Sequence, residues 1–291
     1  MNQLSCTTVE WRGLTLASDQ SSPFGIRNLA GWDELPDSRQ ESPVRPLAHG
    51  RFDTPVWADE RVVTLTGQIV SQDRDALLAE LSGVMGWPSG GGAAETLTVT
   101  RAGRTLTASA RLRAFRTPTT LDWSVGEVPF AIEWRCADPL RYGPAATLET
   151  GFPVLAGGLE FDLFTDGSAD TGYLEFGAMS SNGRVVTSNA GNADAWPQFT
   201  VTGPVPPFQI VAVESGRRLV FSRSVNAGDS LVIDTATGVV VLNGGDVDYS
   251  GYLTTAEWAS IPTGGSQTFA FLPVSGTGTG TMAVTWRPAF W

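Results

Sequence analysis

The chain has 291 residues, 42% of them hydrophobic and 17% charged, which suits one or two globular domains and excludes a disordered chain. Its net charge of −11 opposes general binding to phosphate backbones, and no apolar run reaches the ~18 residues of a membrane helix. All 19 basic residues are arginine, a bias best read as the mark of GC-rich coding DNA.

The opening MNQLSCTTVEW has no basic start followed by an apolar core, so no signal peptide is expected and synthesis in the cytoplasm is. Two cysteines, Cys6 and Cys136, are too few for a disulfide scaffold. Both read as free thiols, a Cys6–Cys136 bridge being the lesser alternative in that compartment.

Pro36–Asp59 holds little periodicity and several prolines. A loop this long is functional or mobile, and it is expected to reach toward a neighbouring molecule. Next, VVTLTGQIV alternates at period two, with Val63, Leu65, Gly67 and Ile69 on one face. DRDALLAELSGVMG follows with Leu77, Leu78, Leu81, Val84 and Met85 at helical spacing, and WPSGGG (Trp87–Gly92) stops that helix. ETLTVT and TLTASARLRA read as a hairpin turning at Gly103, and WSVGEVPFAIEWRC as a further strand. ADPLRYGP (Ala137–Pro144) breaks the pattern, so a boundary is placed between domains 1–143 and 144–291.

The second half shows only strands and turns. Its strand candidates are LEFDLF, GYLEFG, RVVTSN, QFTVTG, FQIVAV, RLVFSRS, SLVIDT, GVVVLNG, QTFAFLPV and TMAVTWRP, a sandwich pattern. DTATG (Asp234–Gly238) is a hairpin turn, and the closing PAFW is expected to be packed. The net charge is −3 in residues 1–142 and −8 in residues 143–291.

Catalytic chemistry finds little support. One histidine, His49, cannot build a triad or a multi-histidine metal site. Asp162 and Asp166, and Asp246 and Asp248, are carboxylate pairs explained by turn chemistry. No catalytic residue, metal or cofactor is assigned, and the chain is not read as an enzyme. Arg45, His49, Arg51 and Trp57 in the long loop, with Arg111 and Arg113 on one strand face, are the candidate subunit contacts. NAGNADAWPQFTVTGP (Asn189–Pro204) groups amides, a carboxylate and an indole, as a sugar site or a calcium loop would; turn formation explains the same residues. Trp196 and Trp258 are the candidate glycan contacts.

Taken in order, GWDELPD (Gly31–Asp37), HG (His49–Gly50), ERVVTLTGQI (Glu60–Ile69), EWRCADPLRYG (Glu133–Gly143), NAGNADAWPQFTVTGP, GDSLVIDTATGVVVLNG (Gly228–Gly244) and VTWRPAFW (Val284–Trp291) form a pattern. The chain resembles the distal tail proteins of phages with long non-contractile tails. That resemblance implies a mainly β fold: a tail-tube-like β-barrel or sandwich with one α-helix, then a galectin-like β-sandwich. It also implies a homo-oligomeric, hexameric ring at the distal tail of the virion, assembled in the host cytoplasm. The implied partners are the tail tube protein, the tip or baseplate hub protein and receptor-binding proteins. DNA would pass through the lumen with no specific nucleic-acid binding. A carbohydrate-binding adhesion module of the tail tip is the alternative. The usual histidine-containing sugar site of a galectin is not evident, because the second half has no histidine.

Overall fold

A computed structural model describes residues 6–19, 21–71, 73–87, 92–118, 127–153 and 181–291. The strand candidates LEFDLF and GYLEFG, the pair Asp162 and Asp166, the start of WSVGEVPFAIEWRC (123–126) and part of WPSGGG (88–91) lie outside the described residues. The chain is mainly β and divides into two compact units, Met1–Pro144 with Ala289–Trp291, and Ala145–Pro288.

The first unit contains strands β1 (Thr7–Trp11), β2 (Leu14–Ala17), β3 (Phe24–Ala30), β4 (Ser38–Arg39), β5 (Trp57–Ala58) and β6 (Arg61–Val70). Helix α1 (Arg74–Val84) follows, then β7 (Glu95–Arg101), β8 (Arg104–Arg116), β9 (Glu127–Cys136) and β10 (Arg141–Tyr142). Strands β8, β7, β1, β2, β3, β6 and β9 pair in that order, and β9 pairs back onto β8, so the sheet closes into a barrel and loses its free edges. The β2–β3 contact is parallel and rests on one pair, Ala17 with Gly25.

Period-two patterning fills the barrel. Val63, Leu65 and Ile69 of β6 are buried, as are Val128, Phe130, Ile132, Trp134 and Cys136 of β9. The β7–β8 hairpin turns at Ala102 and Gly103, both at positive φ (52° and 76°), the two-residue geometry that matches strand twist. Helix α1 packs Leu81 and Met85 into the core, with Leu77, Leu78 and Val84 against it. Its C-terminal carbonyls need partners. Arg12 supplies them, donating to Val84 O at 2.9 Å and Gly86 O at 2.7 Å. Arg12 also pairs with Glu95 at 2.8 Å, and its hydrogen bond holds that carboxyl below the usual range.

The second unit is built from β11 (Ala146–Gly151), β12 (Arg184–Ser188), β13 (Gln198–Thr202), β14 (Phe208–Ala212) and β15 (Arg218–Phe221). It continues with β16 (Ser230–Asp234), β17 (Val239–Leu242), β18 (Leu253–Ala256), β19 (Ser266–Pro273) and β20 (Thr281–Trp286). Two five-stranded sheets form, in the orders β11-β20-β13-β16-β17 and β12-β19-β14-β15-β18. All their pairings are antiparallel. Their buried faces share an aromatic core. Phe152 stacks on Phe271 at 4.3 Å, Phe208 meets the same ring edge-on at 5.4 Å, and Phe199 meets Phe269 at 5.0 Å. The last strand, β21 (Ala289–Phe290), belongs to the first unit, where it pairs with β10.

Both cysteines are free, Cys6 exposed and Cys136 buried. Burial pushes the Cys136 thiol up to about 11, which leaves almost no thiolate at neutral pH. The Cys6 thiol is also raised, chiefly by its hydrogen bond to Asp19. Native protein at pH 8 is therefore expected to titrate one thiol with Ellman's reagent, faster as pH rises. Cys136 should react only as fast as the barrel unfolds. Two equally fast thiols, or one surviving Cys6→Ala, would contradict this placement.

Candidate functional site

The segment expected to be an irregular loop is a two-stranded arm. Its base is the β4–β5 pair, Ser38 with Ala58 and Arg39 with Trp57. Further out Val44 bridges Arg51. Between them Phe52 N donates to Pro43 O at 3.0 Å, Thr54 Oγ1 to Glu41 O at 2.9 Å and Gln40 Nε2 to Thr54 O at 2.7 Å. These partners replace the periodicity that the prolines remove. Between residues 33 and 57 every side chain is exposed except Pro36, Ser42 and Thr54, which are half-buried. The arm carries apolar side chains into solvent: Leu47 is 101% exposed, Leu35 76%, Trp57 65% and Val44 63%. Exposed apolar clusters of this kind mark contact surfaces.

Four candidate contact residues fall on this arm. Arg45 lies over the Phe52 ring at 5.6 Å. His49 is exposed at the tip. Arg51 donates to Ser42 O at 2.9 Å. Trp57 lies at the base on β5. Arg111 and Arg113 sit elsewhere, on the outer face of β8. Arg111 donates to Gly92 O. Arg113 pairs with Glu133 at 3.0 Å, where the β8–β9 register shifts between Leu112 and Ala114.

The root of the arm is the opposite in character. Arg61, the first residue of β6, is fully buried. Its Nε donates to Pro139 O at 2.8 Å, and Nη1 lies within reach of Gly31 O at 2.7 Å, Trp32 O at 3.0 Å and Glu34 O at 2.6 Å. Burial, then the nearby charge of Arg141, lowers its pKa to about 10; Asp33 and Asp138 oppose that shift. Gly31 takes a positive φ of 78°, and a Cβ there would stand 1.9 Å from Val62 O. Asp33 pairs with Arg101 at 2.5 Å and Arg141 at 3.1 Å. Arg141 also donates to Trp291 O, and its pKa is lowered, chiefly by burial. Asp138 accepts from Tyr142 Oη at 2.6 Å and Leu140 N at 3.0 Å. GWDELPD and ADPLRYG, remote in sequence, thus meet around one guanidinium. Sequence reasoning missed Arg61. Its signal was an arginine in phase with the inward Val63 and Leu65.

In the second unit Asn189 is buried and organises its loop. Its Nδ2 donates to Ala193 O at 2.7 Å, and its Oδ1 accepts from Gly191 N at 2.9 Å. Asp194 accepts from Thr263 N at 3.1 Å and Ser260 Oγ at 3.2 Å. Asn189 therefore closes its own loop, and Asp194 ties that loop to the segment 260–263. Trp196 is 41% exposed. Trp258 is half-buried, its ring 3.5 Å from where a Cβ on Gly238 would stand. Asp248 accepts from Ser250 Oγ at 2.6 Å, and that bond is the main cause of its lowered pKa. No cluster of three or more metal-ligating side chains occurs among the described residues.

Residues 190–290 match the family model of the siphovirus-type tail component, C-terminal domain. That C-terminal span, about a third of the chain, is what is similar to the family. The matched span opens on the Asn189 loop, runs through β13–β20 and reaches β21. No curated protein matches the chain. Among solved structures it is similar to SPP1 Dit (gp 19.1), described as a paradigm of the hub adsorption apparatus in phages infecting Gram-positive bacteria. That likeness has a TM-score of 0.62 at 12% identity and covers 98% of this chain and 99% of that one, so the fold is shared along the whole length. Two structures of the phage P2 baseplate in its activated conformation also match, at 10% identity. The one with Ca has a TM-score of 0.46 and covers 97% of both chains. The one with Sr has a TM-score of 0.47 and covers 97% of this chain and 98% of that one. No helix among the described residues is long and apolar enough to cross a membrane.

Proposed function

We propose that this chain is the ring-forming distal tail protein of a long non-contractile tail. The barrel units assemble as a closed ring, six copies in number, that joins the tail tube to the tip or baseplate. DNA passes through its lumen, and the acidic chain does not hold it. The arm supports this reading most directly. It places Leu47, Val44 and Trp57 in water on a hydrogen-bonded ribbon. In the ring the arm of one copy lies on the barrel of the next, and the Arg111 and Arg113 face contributes rim contacts.

Light scattering after size exclusion, with negative-stain images, tests this reading. The purified chain should form rings. Leu47→Asp with Trp57→Asp should leave monomers, since two apolar contacts at about 1.5–3 kcal/mol each weaken a contact at least ~100-fold. Rings that survive both changes would remove the arm from the interface. A wild-type chain that stays monomeric would remove the ring.

A further inference from the structure

Arg61 is a costly choice for a buried strand position. The next inward residues of β6 are Val63 and Leu65, both fully buried. None of the ion pairs among the described residues involves Arg61. Its charge is met by backbone carbonyl dipoles, and a buried charge without close compensation is unfavourable. An apolar residue would fill a barrel position with less loss. The positions of its acceptors suggest what the arginine does. Gly31, Trp32 and Glu34 lead into the arm, and Arg61 itself follows the arm's last strand, β5. The Nε bond to Pro139 ties this junction to the segment after β9. Nε is committed to Pro139 O, and the two N–H groups of Nη1 are shared among the three carbonyls of residues 31–34, while the buried Nη2 has no partner among the described residues.

We propose that Arg61 is a positioning residue that locks both ends of the arm to the barrel and so fixes the direction in which the arm is presented to a neighbouring copy. This rests on the reading of the arm as the ring contact. An arm free to swing would lose conformational entropy on docking; an arm fixed at its root has already lost it. The exposed tip stays adaptable while the root does not move.

The test compares hydrogen exchange and assembly in the full chain. Exchange is read in the Leu47→Asp, Trp57→Asp background, where no neighbour covers the arm. The amides bonded across the arm root, Asp59 N to Asp37 O among them, should exchange more slowly than those of the tip 44–51. Adding Arg61→Lys, whose single ammonium cannot reach Pro139 O and the 31–34 carbonyls together, should free the root and speed exchange at those root amides at least ~10-fold while leaving Val63–Ile69 unchanged. In the otherwise native chain, Arg61→Lys should weaken ring formation at least ~10-fold. Unchanged root exchange in a folded Arg61→Lys chain would overturn the proposal and leave the ring reading standing. Rings that persist after the two arm substitutions would remove the arm from the interface, and with it the assembly role given to Arg61; a wild-type chain that stays monomeric would sink the ring reading instead. If Arg61→Lys fails to fold, the comparison without it decides: a root exchanging as fast as the tip overturns the lock, and a slow root with a fast tip supports it.

Discussion

Trp134→Ala is expected to lower the stability of the barrel unit by about 3–5 kcal/mol, the range for deleting a buried tryptophan. Trp134 is fully buried. Its strand β9 lies between β6 and β8, where it pairs with Val63 on one side and Leu112 on the other. Its ring meets Trp11 of β1 edge-to-face at 5.9 Å. One side chain therefore touches strands from both sides of the closed sheet, and neighbours held by hydrogen-bonded ladders cannot collapse into the space it leaves. The size of the loss matters because a domain has only ~5–15 kcal/mol to lose. Urea unfolding followed by near-UV circular dichroism measures it. Trp134→Phe is the control. It keeps most of the volume and removes an indole N–H that has no hydrogen-bond partner among the described residues, so it should cost under ~1.5 kcal/mol. Equal losses for the two variants would show that the ring's bulk is not what the barrel needs.

Gly31→Ala should cost on the order of 3 kcal/mol and disturb assembly as well. Two effects combine there. A non-glycine residue at a φ of 78° costs about 1–2 kcal/mol. The added Cβ would also stand 1.9 Å from the carbonyl oxygen of Val62, a backbone atom of β6 that can yield only if the strand moves. Gly103→Ala separates the two. Gly103 has nearly the same φ, 76°, with nothing within 4 Å of the added carbon. It should lose only the conformational part and leave assembly untouched. A thermal melt and light scattering on both variants read the difference. If Gly31→Ala behaves like Gly103→Ala, the close approach at the arm root is relieved at little cost and does not orient the arm.

Much of the fold was readable along the chain because its signals are local. The alternation in VVTLTGQIV and FAIEWRC puts Val63, Leu65, Ile132 and Trp134 in the core, where they lie. The spacing of Leu77, Leu81 and Met85 marks the helix, and RAGR the tight hairpin. The strands from RVVTSN to TMAVTWRP appear as β12–β17, β19 and β20. Strands β1, β2, β3 and β11 were not among the expected ones, and β10 and β21 have two residues each, too few to show a period. β18, LTTA, alternates only between half-buried and exposed. The arm was visible as an absence of pattern, and its ribbon was not, because irregular side-chain and backbone bonds hold it together.

The opening amides of the second unit show the same division. Asn189, Asn192 and Asp194 could be recognised as turn formers. That Asn189 is buried and reaches Ile261 O at 3.3 Å follows only from strands that bring distant segments together.

By itself the sequence determined the mainly β class, the single helix and the phase of most core strands, since alternation and helical spacing are set by nearest neighbours along the chain. The order of its motifs pointed to the distal tail family. Only the tertiary structure decided that the first sheet closes on itself, that β21 returns to the first unit, and that Arg61 gathers the carbonyls at the arm root. Each depends on residues far apart in sequence, as with Arg61 and Pro139, 78 positions apart. Such contacts exist only once the sheet has formed, and no local pattern of residues encodes their partner.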